Sequence, residues 1–446
     1  MMLKLFILSL GCAKNQVDTE SMMGYLLPIG FSLTNSPQSA DVMLINTCAF
    51  IEPAREESIQ SILELVNIKS HNQKLIVAGC LTQRYASQLK KEIPEVDLWL
   101  DIASENSIAE NVATWFPEQL SLINHKISVR LTPPHYAYLR VADGCDHLCS
   151  FCAIPGIRGS YNSVPQADVI NAARQMAGQG VIELNLIAQD TSFYANDLDT
   201  ESSLPNLLKQ LCKINGINWI RLQYLFPASI TDELIDLMAS EAKICPYFDI
   251  PLQHIADNVL KSMKRPGKKF TLRLLDKIKK TIPGAAIRTS MIVGYPNEGD
   301  EEFKELKQFI SDFKFNRLGV FQYSREEDTS AFILGDPVPE SVKNERQQII
   351  MELQQKISLE HNNNLIGKSL PVIIDSNECN NAVGRTVWDA PEVDGLVYIE
   401  NSPEIKQGTI ADVEITKADI YDLFGTSILP RACLGHQSTN PSIYSS

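Results

Sequence analysis

The sequence predicts an α/β protein in which two strand–helix series follow one another. Three observations carry this reading. Short apolar runs alternate with helical stretches through the first 120 residues. The same alternation resumes near residue 137 and continues through six units. Several cysteines stand just after apolar runs rather than inside them. Alternating strands and helices argue for parallel sheets covered by helices.

In the first series, Leu3 to Leu10 ends in Gly11-Cys12, Asp41 to Thr47 ends at Cys48, and Lys74 to Gly79 ends at Cys80. Helical stretches follow at Asp18 to Leu27, Glu52 to Asn67 and Thr82 to Lys91. Ligands of such sheets bind beyond the carboxyl ends of the strands, so Cys12, Cys48 and Cys80 are expected to converge there. One such cysteine would be an ordinary buried thiol. Three of three point to a cluster held by three thiolates.

The second series has candidate strands at Ala137–Val141, Glu183–Ala188, Trp219–Tyr224, Tyr247–Pro251, Ala286–Val293 and Arg317–Tyr323. Helical stretches at Ala167–Ala177, Leu204–Ile214, Thr231–Ala242, Thr271–Thr281 and Asp300–Phe313 separate them. Six units predict an incomplete α/β barrel or an open sheet. The first strand is followed at once by Cys145, Cys149 and Cys152, a C-x3-C-x2-C run. Thiolates are soft ligands for iron–sulfur clusters, zinc and Cu(I). Structural zinc takes a closed set of four ligands. Three thiolates on a 4Fe–4S cluster would leave one iron open to a substrate. Other strand ends carry Gln189-Asp-Thr191, Gln253-His254 and Gly294-Tyr-Pro-Asn-Glu298, and Arg288 lies within the fifth strand. Taken alone, His254 reads as a satisfied core residue and Gly-Tyr-Pro as a turn. Gly294 is expected to let a ligand approach the backbone.

Composition narrows the function classes. The length suggests about three domains. The net charge of −14, from 40 basic and 54 acidic residues, argues against a surface built for phosphate backbones. It suits a basic partner. No apolar run reaches the roughly 20 residues of a transmembrane helix, so no membrane partner is expected. Met1 to Cys12 imitates a lipoprotein signal, but its apolar stretch Leu5–Leu10 falls short of the roughly 7–15 residues of such signals. It reads as a buried strand, and a cytoplasmic location is expected. Ten cysteines there act as ligands or thiols rather than disulfides. Cys212, Cys245, Cys379 and Cys433 lack ligand-like spacing. Pro337-Val-Pro339 stops the second series. Glu340 to Asn363 then carries Val342, Ile349, Ile350, Leu353 and Ile357 at helical spacing.

The core cysteine run, with Phe151 before its last cysteine, resembles the signature of the radical S-adenosylmethionine (SAM) superfamily. Leu10-Gly-Cys-Ala-Lys-Asn15, Asn46-Thr-Cys48 and Ala78-Gly-Cys80 resemble the amino-terminal motifs of methylthiotransferases. Ala153-Ile-Pro-Gly-Ile-Arg-Gly159, Phe248-Asp-Ile-Pro-Leu-Gln-His254 and Arg288-Thr-Ser-Met-Ile-Val-Gly294 resemble later motifs of that family. Ser163-Val-Pro165 and the Gly294–Glu298 segment depart from the family's usual wording. The resemblance implies an amino-terminal α/β domain over residues 1–120, a partial (β/α)6 radical-SAM barrel over 131–361 and a small carboxy-terminal β-barrel, TRAM, over 364–431. A disordered tail over 432–446 is expected. It also implies two 4Fe–4S clusters, on Cys12, Cys48 and Cys80 and on Cys145, Cys149 and Cys152. Phe151, Gln189, Arg288 and Glu298 are expected near SAM, and no general base is expected. Two SAM molecules would serve, one as methyl donor and one as radical source.

Within that family the chain resembles the RimO branch, which modifies the β-carbon of an aspartate in small-subunit ribosomal protein S-twelve, rather than the branch that modifies an adenosine of tRNA. From Leu365 to Gly425 there are eleven acidic and four basic residues. A tRNA-binding barrel should be basic, whereas an acidic one suits a basic ribosomal protein. Asp389-Ala-Pro-Glu-Val-Asp-Gly-Leu-Val397 and Tyr421-Asp-Leu-Phe-Gly425 carry the same resemblance. Implied partners are the ribosomal protein, free or in the ribosome, a low-potential electron donor and a sulfur donor, with no direct tRNA substrate. A zinc-stabilised binding protein is the rival from another class.

Overall fold

The computed structural model describes residues 2–118, 126–198, 202–400, 402 and 404–430. The expected tail over 432–446, with Cys433, lies outside the described residues.

The amino-terminal sheet has five parallel strands: β1 (Leu3–Ser9), β2 (Phe31–Leu33), β3 (Val42–Thr47), β4 (Lys74–Gly79) and β5 (Leu98–Leu100), in the order β2-β1-β3-β4-β5. Its central strands are buried on both faces. Leu5, Val42, Leu44, Ile76 and Ala78 pack with Met22 and Leu26. Met43, Ile45, Leu75 and Val77 pack with Ile62, Leu65, Leu81 and Leu89. Double burial is why these strands read as unbroken apolar runs. Helices α1 (Ala13–Leu26), α2 (Glu52–Ile68) and α3 (Cys80–Glu92) cover them. Helix α1 begins five residues earlier than the apolar pattern predicts. Its first turn carries Lys14 and Asn15, polar yet buried, so it has no apolar periodicity to read.

The middle segment forms six parallel strands in two groups of three: Tyr136–Arg140, Glu183–Ile187 and Trp219–Leu222, then Tyr247–Asp249, Ala286–Val293 and Arg317–Gln322. A bridge between Ile220 and Ile244 joins the groups. The result is an incomplete barrel. Ala137, Leu139, Leu184, Leu186, Ile220 and Phe248 face the covering helices in one large apolar core. The alternate positions carry Tyr136, Tyr138, Glu183, Arg221, Tyr247 and Asp249, all buried. A strand's two-residue period puts these polar groups on the opposite, inner face.

The helix Glu340–Asn363 leads to a closed five-stranded barrel spanning Ser369 to Pro430. This small barrel is fastened to the core by buried charge. Glu183 accepts from Arg385 Nη2 at 2.7 Å and from Arg221 Nε at 3.0 Å. Asp375 pairs with Arg385 and His135, both at 2.8 Å. Arg317 reaches Asp389 at 2.5 Å. Asp394 lies 3.4 Å from Arg288 and accepts from the Tyr247 hydroxyl at 2.6 Å.

Two cysteine sets at strand ends

Cys12, Cys48 and Cys80 follow β1, β3 and β4, which are adjacent and parallel; Ser9 registers with Asn46 and Thr47 with Gly79. All three therefore stand on one carboxyl edge. Gly11 and Gly79 make the turns into α1 and α3 at φ +94°. A Cβ on Gly79 would lie 2.1 Å from Asn46 Oδ1, and one on Gly11 would lie 2.9 Å from Cys48 Cβ. No side chain fits at either turn, which is why glycine precedes two of the cysteines.

Two asparagines pin this edge. Asn15 donates to Leu10 O and Thr47 O, each at 3.0 Å. Asn46 donates to Asn15 O at 2.7 Å and Thr19 Oγ1 at 2.9 Å. Ser58 donates to Cys48 O at 2.8 Å and accepts from Cys48 N at 3.0 Å. Burial pushes the Cys80 thiol up to about 12, and negative charge on Cys48 and Cys12 pushes the same way. Burial also raises the Cys48 thiol, with Cys12 adding to it. The three thiols therefore feel one another.

The second set sits on the loop after Tyr136–Arg140. Cys145 N donates to Gly159 O at 3.1 Å, Cys152 N to Cys149 O at 3.2 Å and Ser150 N to Met263 O at 3.1 Å. Burial lifts Cys145 to about 11 and Cys152 to about 12, and charge on Cys149 raises both. Arg265 Nη1 lies 3.5 Å from Cys149 Sγ.

The donor chemistry fits iron–sulfur ligation at both sets: three mutually coupled thiols each, with a guanidinium beside one sulfur of each. Among the described residues, no three His, Cys, Asp or Glu side chains converge as a single metal ion requires. A cubane asks less of them, because each thiolate binds its own iron.

Other residues expected at the site fall as follows. Phe151 packs against the apolar cluster that contains Ala256, Ile292, Tyr295 and Tyr323. Gln189 donates to Asp143 Oδ1 at 2.7 Å. Arg288 lies inside the barrel, level with Asp249, and bonds Asp249 at 3.0 Å. Glu298 accepts from Arg346 at 2.7 Å and from Gly294 N at 3.1 Å. His254 is buried with its Nε2 3.3 Å from Glu298 Oε2. At Gly294, φ +74°, the Cβ position lies 2.4 Å from Lys343 Cγ, so the Glu340–Asn363 helix itself approaches closely there.

Sequence reasoning missed the residues that tie the two sets together. Arg158 pairs with Asp18 at 2.7 Å, donates to Asn15 Oδ1 at 2.8 Å and reaches Cys80 Sγ at 3.7 Å. Asp18 also pairs with Arg140. Within the core alone, His147 bonds Asp190 at 2.7 Å and stacks on Phe226, with ring centres 3.7 Å apart. The one available signal was Arg158's place in the segment after the core cysteines.

Known proteins resemble this chain along its length. Residues 4–101 match the family described as uncharacterized protein family UPF0004, 139–310 the radical SAM superfamily and 366–428 the TRAM domain. The ribosomal protein uS12 methylthiotransferase RimO of Aquifex aeolicus is 45% identical, covering 95% of this chain and 97% of its own. Its counterpart in Lachnoclostridium phytofermentans is 43% identical, covering 95% and 100%. Among solved structures, the radical SAM methyltransferase TsrM of Kitasatospora setae, with cobalamin and a [4Fe-4S] cluster bound, shares the fold. Its TM-score is 0.56 at 11% identity, over 92% of this chain and 84% of that one. A chain this similar to its relatives over nearly their full length belongs to the RimO family of radical SAM methylthiotransferases.

Proposed function

We propose that this protein adds a methylthio group to the β-carbon of an aspartate in ribosomal protein uS12. The observation that carries this reading is the pairing of two three-cysteine sets across Arg158. Cys145, Cys149 and Cys152 would hold the cluster that works with SAM. Cys12, Cys48 and Cys80 would hold a second. When bound, these groups supply radical chemistry at an unactivated C–H bond and a sulfur to transfer. The chain's own part is to hold the two sets in fixed relation and to admit one side chain between them.

Phe151 offers an apolar face for adenine, and Gln189 a polar edge. Arg288 and Glu298 bond within the protein, so their proposed part is to position Asp249 and the Gly294 turn. We assign the amino-terminal part to residues 1–120, the core to 131–361 and the small barrel to 364–431. A low-potential electron donor and a sulfur donor complete the cycle.

The small barrel supports a protein substrate. Four of its eleven acids, Asp375, Asp389, Glu392 and Asp394, bond core residues, as does Arg385. The barrel's acids still outnumber its bases, the wrong sign for a phosphate backbone.

The test is to offer the reconstituted enzyme uS12 and tRNA side by side and weigh both products. Thiomethylation of tRNA alone would overturn the substrate; about four irons per chain instead of about eight would overturn the second cluster.

A further inference from the structure

Lys14 stands in the turn that follows Cys12, but its ammonium belongs to the mouth of the core barrel. Nζ lies 3.1 Å from the centre of the Tyr224 ring and 3.5 Å from the carbonyl oxygen of Ala188. Both residues sit at carboxyl ends of core strands. Lys14 is 9% exposed. One long hydrogen bond and one ring face leave donors of a buried cation unused. A buried charge is costly unless it is paired and hydrogen-bonded. No carboxylate among the described residues pairs with it. Of the acidic groups near it, Cys12 is an expected cluster ligand, and Asp249 and Asp143 are held by Arg288 at 3.0 Å and Arg158 at 3.3 Å.

The ring beneath it is held under strain. Tyr224 has φ +59°, a conformation that non-glycine residues adopt only when their surroundings enforce it, often at ligand clamps. Here the enforcement is visible: Tyr224 N donates to Asp249 Oδ2 at 3.0 Å, and Thr191 N donates to Tyr224 O at 2.9 Å.

We propose that Lys14 takes the side-chain carboxylate of the substrate aspartate and thereby selects an acidic residue. The inference rests on the reading of function above. The carbon to be modified is bonded directly to that carboxylate, and the sulfur must arrive from the side of Cys12, two residues before Lys14. A carboxylate on Nζ supplies the missing acceptor and brings the neighbouring carbon toward that sulfur. A lysine suits this task as a compact charge on a flexible stem.

The experiment compares holoenzyme and its Lys14→Met variant on two uS12 peptides, one with the target aspartate and one with asparagine in its place. Peptide binding and turnover are both measured. Wild type should favour the aspartate peptide. The variant, with unchanged iron content, should lose on the order of a hundredfold in kcat/KM for the aspartate peptide, bind it more weakly, and barely change with asparagine. Retained discrimination in the variant would overturn the inference. So would equal loss on both peptides, loss of iron, or a matching loss of deoxyadenosine formed without peptide, which would assign the charge to cluster or SAM. Wild-type activity on tRNA but on neither peptide would instead sink the underlying reading of function.

Discussion

The Arg158 guanidinium lies 3.7 Å from Cys80 Sγ, although the two stand 78 positions apart, in segments that carry different cysteine sets. Arg158 follows the core cysteines, and Cys80 ends a strand of the amino-terminal sheet. The same guanidinium pairs with Asp18, and both side chains are almost fully buried, at 2% and 1% exposure. A buried ion pair adds little as a net stabiliser, but breaking one side of it costs about 3–5 kcal/mol. Its effect here is geometric: it ties the segment after the core cysteines to the amino-terminal cysteine edge. Arg158→Lys keeps the charge but loses the planar fork that reaches Asp18, Asn15 and Cys80 together. The variant should melt several degrees lower and retain less iron at the amino-terminal set. Iron and sulfide assays beside a melting curve check this; wild-type values in both would refute the coupling.

Cys149 should be decisive for the core set. Cys149→Ala should retain roughly half the wild-type iron, since each cubane holds four of about eight, and should form no deoxyadenosine. Normal turnover by this variant would rule out the assigned roles.

Long, periodic helices and unbroken apolar strands were legible from the residues alone. Asp300–Phe313, Glu340–Asn363 and Lys74–Gly79 fall where the pattern puts them. The convergence of Cys12, Cys48 and Cys80 was legible too, because β1, β3 and β4 are parallel neighbours and each cysteine follows its strand directly. The edge strands Phe31–Leu33 and Leu98–Leu100 were not, being three residues long and too short to show a period. The links Arg158–Asp18 and Arg385–Glu183 span 140 and 202 positions, and local pattern carries no information at that range. The acidic small barrel shows the limit of counting charge: Asp389 and Asp394 are buried against Arg317, Arg288 and Tyr247 and contribute nothing to a binding surface.

Glu183 holds the small barrel to the core. Fully buried, it accepts from both Arg221 and Arg385. Their attraction outweighs burial and keeps its carboxyl below the usual range. Glu183→Gln would leave two buried guanidiniums facing one neutral amide, at a cost of about 3–5 kcal/mol. Denaturant unfolding should show that loss, and limited proteolysis should cut more readily between Asn364 and Ser369. Resistance equal to wild type in both assays would mean that the joint is held by its apolar contacts, Trp219 and Tyr247 against Ile373 and Ala390.

Glu105 gives the protein a pH dependence of defined sign. It is buried, its Oε1 has no hydrogen-bond partner, and burial, with the Asp18 charge adding to it, pushes its carboxyl up to about 8. The unfolded chain releases that proton near 4.5. Between those values the folded state binds more protons than the unfolded state, so this group's contribution falls as pH rises. It levels off above about 8, where both states are ionised. Glu105→Gln replaces the neutral acid with a neutral amide of similar shape and has no such slope. The difference in melting temperature between variant and wild type should therefore move in favour of glutamine from pH 5 to pH 8 and stay flat beyond. A difference that is constant across that range would show that Glu105 is already ionised in the folded protein, paired with Arg140 or Arg158 through a rearrangement of the Asp18 cluster.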